Sequence, residues 1–385
     1  MRRLWIWCVG ALVLAAGCTV PPASGSDTPP PSGPVVINQF VVSASSAPAP
    51  ALIALSWTVS DSEGKPLTCR VDTDGDGIID LTIPNCAGTG SKNTSFANPG
   101  DHTATLEVDD GANFVTSSAK FTITAGVTEP FDITVVPVGT LTAQEQAAFD
   151  AAAAHWESVI VRGIPDVQVD LAAGTCVTDG PAIHQVVDDI VIQAEVTPID
   201  GVGKILGQAG PCADWTGDHL PRAGGMEFDS ADVAKMLTDG SFTEVVTHEM
   251  GHVLGFGTEW SDGRSLLLGG GGTDPRFVGM RANAEYAALG GSGMIPVENT
   301  GGVGTADAHW RESIFGNELM TGYLDPGLNP LSAMSIASMA DLGYQVSLSA
   351  AEPYSIPTGG AFRAQSTLAA NNGIMQRPKQ IELPG

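Results

Sequence analysis

One short segment restricts this chain more than any other: Ser241-Phe242-Thr243-Glu244-Val245-Val246-Thr247-His248-Glu249-Met250-Gly251-His252-Val253-Leu254-Gly255-Phe256. Ser241 followed by Glu244 is the pattern of a capping box, and the apolar run behind it predicts a helix beginning there. On that helix His248 and His252 are four residues apart. They share a face, one turn above the other, where two imidazoles can grip one zinc ion. Glu249, beside the first histidine, is placed to act as general base toward a water on that ion. Two surface histidines on a core helix satisfy the same spacing, and only their surroundings separate the two readings.

Those surroundings are specific. Gly255 falls three residues after His252, where metzincin peptidases carry the glycine that turns the chain away from the active-site helix. Position 258, where that group has a third histidine, holds Thr258. Further on, His309-Trp310-Arg311-Glu312 precedes Asn317-Glu318-Leu319-Met320-Thr321-Gly322, and the segment from Ser335 closes on Ala340-Asp341-Leu342-Gly343-Tyr344. Taken in this order, the motifs resemble the leishmanolysin family, whose third zinc histidine follows a long insertion and whose methionine-turn comes soon after.

The resemblance covers residues 129–346 and implies an α+β metzincin-like zinc peptidase domain. It implies zinc ligation by His248, His252 and His309, Glu249 as general base, Met320 as an apolar floor beneath the metal, and a protein or peptide as substrate. A gluzincin-like scheme would instead recruit Glu285, on a helix predicted around Arg281–Ala288, but leaves Gly255 and the Met320 segment unexplained. Gly224-Gly225-Met226-Glu227-Phe228-Asp229, just before the helix, reads either as a sheet edge that pairs with extended substrate or as a buried core strand.

The preceding residues have a different grammar. From 35 to 125 short segments alternate with period two, such as Leu55–Val59, His102–Val108 and Ala119–Ile123, separated by Gly, Asn, Asp and Pro clusters. This predicts an antiparallel β-sandwich, and Asn98-Pro99-Gly100-Asp101-His102 leading into Leu106-Glu107-Val108-Asp109-Asp110-Gly111 resembles PKD-type, Ig-like modules. The fold class is therefore multidomain, a β-sandwich followed by the α+β peptidase-like unit. Within the sandwich, Asp72, Asp74, Asp76 and Asp80 are spaced as the oxygen ligands of a calcium loop, with Gly77 at the sixth place. Ile83 occupies the twelfth, which excludes an EF-hand. A solvated acidic hairpin is the other reading.

The chain ends add compartment. Arg2 and Arg3 precede an apolar run to Ala16, too short to span a bilayer, and the run ends in Ala15-Ala16-Gly17-Cys18. This resembles a bacterial lipobox and implies a signal peptide over 1–17, lipidation of Cys18, and a Pro/Ser-rich tether over 18–34. The expected location is then extracytoplasmic, lipid-anchored to the bacterial cell envelope, at the outer membrane where there are two; an ordinary secretory signal cut near Ala23 is the alternative. In an oxidising compartment Cys69 with Cys86 and Cys176 with Cys212 are the sequence-local disulfides, while crossed pairings would staple the two domains together. Residues 347–385 read as a C-terminal tail. Seventeen Lys+Arg against 43 Asp+Glu give a net charge of −26, which repels phosphate backbones and excludes a nucleic-acid partner. These features predict a zinc endopeptidase. The alternative from another class is a surface adhesion or carbohydrate-binding lipoprotein with an inactive peptidase domain.

Overall fold

A computed structural model describes residues 34–261, 264–357 and 381–383. The leader, Cys18 and all but the last residue of the tether lie outside the described residues. The N-terminal unit has eight strands: β1 (Val35–Val42), β2 (Ser46–Pro48), β3 (Ala51–Asp61), β4 (Thr68–Asp72), β5 (Leu81–Pro84), β6 (Gly88–Phe96), β7 (Gly100–Asp109) and β8 (Phe114–Thr124). They form two sheets, β1-β3-β6 and β2-β8-β7-β4-β5. Period-two patterning is what packs them. In β3, Ala51, Ile53, Leu55, Trp57 and Val59 all turn inward, and they share one core with Leu106 and Val108 of β7 in the opposite sheet. The Cys69–Cys86 disulfide ties β4 to the segment after β5.

The second unit is mixed. Its elements are β9 (Ile133–Val138), α1 (Ala143–Val159), β10 (Val167–Leu171), β11 (Ile183–Val187), β12 (Ile190–Thr197), β13 (Gly207–Trp215), β14 (Pro221–Asp229), α2 (Ser230–Asp239), α3 (Phe242–Val253), β15 (Leu267–Leu268), β16 (Arg276–Phe277), α4 (Met280–Ala288), β17 (Ile295–Pro296), α5 (Glu312–Phe315), α6 (Ala333–Leu342) and β18 (Ile381–Leu383). The main sheet runs β18-β13-β14-β12-β9. Here β9, β12 and β14 are mutually parallel and β13 is antiparallel to β14. Helices α1 and α3 cover one face. The hairpin of β10 and β11 lies over the other, where the Cys176–Cys212 disulfide sits in the core. Both faces of β12 are consequently buried: Ile190, Ile192 and Ala194 point to the helices and Val191 to the hairpin. Both sequence-local disulfides are present, and the crossed ones are not.

One open alternative is decided in favour of the core strand, and two expectations change. The Gly224–Asp229 segment lies inside the sheet as β14, flanked by β12 and β13, so its edge is not free to pair with anything else. The residues after 347 are not simply a loose tail. Ser347 N–H donates to Val159 O, Tyr354 OH donates to Phe315 O at 2.6 Å, and β18 extends the main sheet beside β13. A three-residue strand is too short to leave a periodic trace in the sequence. Finally, Ser241 makes no side-chain cap on α3, and Glu244 accepts instead from Asn329 Nδ2 at 2.9 Å. The analogous pair Thr142 and Glu145 does form a reciprocal capping box on α1.

Candidate metal centre

Helix α3 is fixed before its histidines are considered. Its apolar residues Phe242, Val245, Val246, Met250 and Val253 are buried in the main core, and Trp156 Nε1 of α1 donates to Thr247 O at 2.8 Å. At its end Gly255 takes a φ of 107°, a backbone conformation that a side chain disfavours, and the chain leaves the helix axis there. Thr258, where a third histidine was absent, is buried and donates its hydroxyl to His252 O at 2.8 Å, so it closes the helix end. The inserted residues between 256 and 308 carry β15 to β17 and α4. They return to the centre over an aromatic cluster of Phe256, Trp260, Phe277 and Trp310.

The return brings His309 against α3. His248, His252 and His309 are each at most 2% exposed, and their Nε2 atoms lie 2.9, 3.0 and 3.2 Å apart. On the other side of each ring, Nδ1 faces a main-chain carbonyl: Leu319 O at 2.7 Å, Phe256 O at 2.8 Å and Thr305 O at 3.0 Å. A carbonyl only accepts, so each Nδ1 carries the proton and each Nε2 presents a lone pair. Burial holds the rings neutral, pushing His248 down to about 4, His309 to about 3 and His252 well below its usual range. Three lone pairs thus converge with no proton among them, an arrangement suited to a bound cation. Tetrahedral ligands at ~2.0–2.1 Å from zinc lie about 3.3 Å from one another, close to the observed spacing. The donor set fits zinc.

Glu249 is fully buried, and both carboxylate oxygens lack a hydrogen-bond partner among the described residues. Burial pushes its carboxyl well above the ordinary range. It lies against Gly207 at the start of β13, where a Cβ would come within 3.0 Å of Glu249 Cγ and Oε1. Met320 is buried beneath α3, and a Cβ on Gly251 would approach its Cε to 2.9 Å.

The methionine segment is held by a residue whose role the sequence did not reveal. Glu318 is fully buried; its Oε2 accepts from Met320 N at 2.6 Å, and its Oε1 accepts from Ser332 N and from the hydroxyls of Ser332 and Ser335. One carboxylate thereby ties the turn that carries Met320 to the start of α6. An acidic residue inside an apolar stretch was the available signal. Asp341 plays a similar part from α6, accepting from Arg281 N and Ala282 N at the start of α4. Glu285 is not among the grouped ligands. It lines a groove with Asn98, Ala337 and Gln345, which sets aside the gluzincin-like scheme.

In the sandwich, Asp72, Asp74 and Asp80 each place one carboxylate oxygen within 4.8 Å of the others, whereas Asp76 stays outside this group. Among the described residues no helix is long and apolar enough to cross a membrane.

A sheet covered on one face by helices, with two histidines from α3 and a third from a distant return, defines a candidate metal centre. Residues 283–379 match the family model described as leishmanolysin, a stretch that contains His309 and Met320 but not His248 or His252. The chain is 29% identical to a leishmanolysin of Leishmania donovani over 195 residues, 48% of this chain and 32% of that protein. It is also 29% identical to one of Leishmania chagasi, again over 48% of this chain and 32% of that protein. The chain thus spans about a third of the length of the curated relatives it matches. Among solved structures, the PKD domain of an M14-like peptidase from Thermoplasmatales archaeon SCGC AB-540-F20 is 15% identical over 24% of this chain and 89% of its own, at a TM-score of 0.19. The PKD domain of human SorCS2 is 15% identical over 31% of this chain and all of its own, at a TM-score of 0.19. The C-terminal unit accordingly resembles the leishmanolysins in sequence, and its three histidines come together as a buried triad.

Proposed function

We propose that this protein is a zinc-dependent endopeptidase that hydrolyses peptide bonds of extracytoplasmic proteins. The observation that carries the proposal is the triad of converging, unprotonated Nε2 atoms beside a buried, unpartnered carboxylate. Zinc held by His248, His252 and His309 would supply Lewis acidity toward a water and a peptide carbonyl. The chain's own part is proton traffic and shape. Glu249 accepts the proton of the attacking water and passes it to the departing amine. The three carbonyls hold the rings in the one tautomer that can ligate. Met320 supplies an apolar floor, and Glu318 fixes the turn that bears it. An inactive adhesion protein would have no need of Glu249 in this position.

The sandwich serves in this reading as a PKD-type accessory module, with structural calcium at Asp72, Asp74 and Asp80. The anchor is proposed to be lipidated Cys18, and the two disulfides agree with an oxidising compartment outside the cytoplasm. Metal analysis combined with a casein assay on wild type and Glu249→Ala tests the central claim. One zinc per chain and chelator-sensitive cleavage that the variant loses are expected. A chain without zinc, or a variant as active as wild type, would sink it.

A further inference from the structure

Next to the metal centre lies a cavity of about 590 Å³ between α2, the start of α3 and the loop that follows the methionine segment. The triad, Glu249 and Met320 do not line it, but its walls adjoin them along the chain. Leu206 lines it and precedes Gly207, which touches Glu249; Glu244 lines it one turn before His248; Leu324 lines it four residues after Met320. Leu206, Met236 and Leu324 supply apolar wall. The charged lining is unbalanced. Lys235 pairs with Asp239, and Asp232 accepts from Gly203 N. Glu244 and Asp325 remain, and among the described residues neither is ion-paired with a lysine or arginine. Glu244 is hydrogen-bonded by Asn329, a neutral donor, and among the described residues no ion pair neutralises Asp325. Desolvation raises both carboxyls above their ordinary range, as expected of acids that lack a counter-charge.

Resting on the peptidase reading above, we propose that this cavity is a specificity pocket for a lysine or arginine side chain next to the scissile bond. The aliphatic stem of such a residue packs along Leu206, Met236 and Leu324, and its cationic head meets Asp325 and Glu244. Long basic side chains suit this division because they bury an apolar stem while keeping the charge paired. A glutamate in the same place would face two uncompensated carboxylates, which like-charge repulsion opposes.

The test uses the zinc-loaded full chain and peptides that differ only in Lys, Leu or Glu, placed in turn on each side of the scissile bond. On one side, kcat/KM for lysine is expected to exceed that for glutamate by about 10–100-fold. Asp325→Asn, which keeps the shape, should cut that ratio by about tenfold, and Asp325→Lys should reverse it. Titration calorimetry of the Glu249→Gln protein with the same peptides should find the lysine peptide bound about tenfold tighter than the glutamate one. Cleavage of all three at similar rates, insensitive to both Asp325 variants, overturns the pocket assignment and leaves the peptidase reading standing. If no peptide is cleaved, the peptidase reading falls; the calorimetric preference then decides the pocket alone, and its absence overturns that too.

Discussion

Among the described residues two places gather three ligand atoms within 4.8 Å: the triad of His248, His252 and His309, and the loop of Asp72, Asp74 and Asp80. Their hydrogen bonds set them apart. At the triad each ring spends one nitrogen on a main-chain carbonyl and has only the other two rings opposite its second nitrogen. In the loop the carboxylates are largely answered by their own backbone. Asp72 accepts from Gly75 N at 2.7 Å and Gly77 N at 3.0 Å, Asp80 from Thr73 N at 2.6 Å, and Asp74 from Asp76 N at 3.2 Å. The triad is also buried, while Asp74 and Asp80 are partly open to water. The loop is therefore stable as a turn whether or not an ion is bound, whereas the triad has no internal use for its convergent lone pairs. Ligand types in proximity do not by themselves make a metal centre; donors left without another partner do.

Catalysis should divide the two places most sharply. Glu249→Ala is expected to lower kcat by about 10²–10⁴-fold. Zinc content measured on the same sample should be unchanged, because Glu249 is a base and not a ligand. Loss of the metal with the activity would move Glu249 into the structural shell and weaken the distinction drawn above.

Acid comes next. The buried histidines titrate below the ~6.5 of an unfolded chain, so the unfolded state binds more protons as pH falls. The metal-free fold therefore keeps this stability above about pH 6.5 and loses it as pH drops toward 4, at roughly 1.4 kcal/mol per unit for each group. Asp80 is shifted the other way, raised chiefly by burial, so its contribution fades as pH rises through the carboxyl range. Thermal melts followed by circular dichroism in chelator between pH 7 and 4 measure the sum. A melting temperature that holds constant over that range would mean the rings are not kept neutral by the fold.

Close packing separates the places again. A methyl on Gly251 would sit 2.9 Å from both Met320 Cε and Trp156 Cζ2, so Gly251→Ala should overpack the floor of the triad by about 1–3 kcal/mol. Gly77 in the acidic loop has open space around it, and Gly77→Ala meets only the strain of its φ of 86°, about 1 kcal/mol. Denaturant midpoints of the two variants test the order.

How much of this the sequence disclosed follows from the range of the interactions. The sandwich strands, helix α3 and the glycine at 255 were legible because each is specified by neighbours within a few residues. His309 became legible through family resemblance, since nothing local distinguishes a histidine that crosses an insertion to reach a helix. The carbonyl partners of the rings, the anchoring by Glu318 and Asp341, and the pairing of β18 with β13 were not legible. Each joins residues distant in sequence through one or two bonds, and no periodicity records them. Ser241 and Glu244 mark the converse failure. A correct local signal was overridden when Asn329, 85 residues away, took the carboxylate.

The smallest expected effect bears most on the comparison. Asp72→Ala removes the acceptor for Gly75 N and Gly77 N and should cost about 1 kcal/mol in chelator, because those donors are part-buried and lose their partner. Calcium binding to the wild-type loop must displace some of these internal bonds, so millimolar calcium should raise the melting temperature by less than stoichiometric zinc does. Both shifts are readable from the same set of scans. If Asp72→Ala proved neutral in chelator while calcium stabilised the wild type more than zinc, the loop would depend on its ion as the triad does. The contrast between a self-satisfied turn and a set of unpartnered donors would then fail at its weaker end.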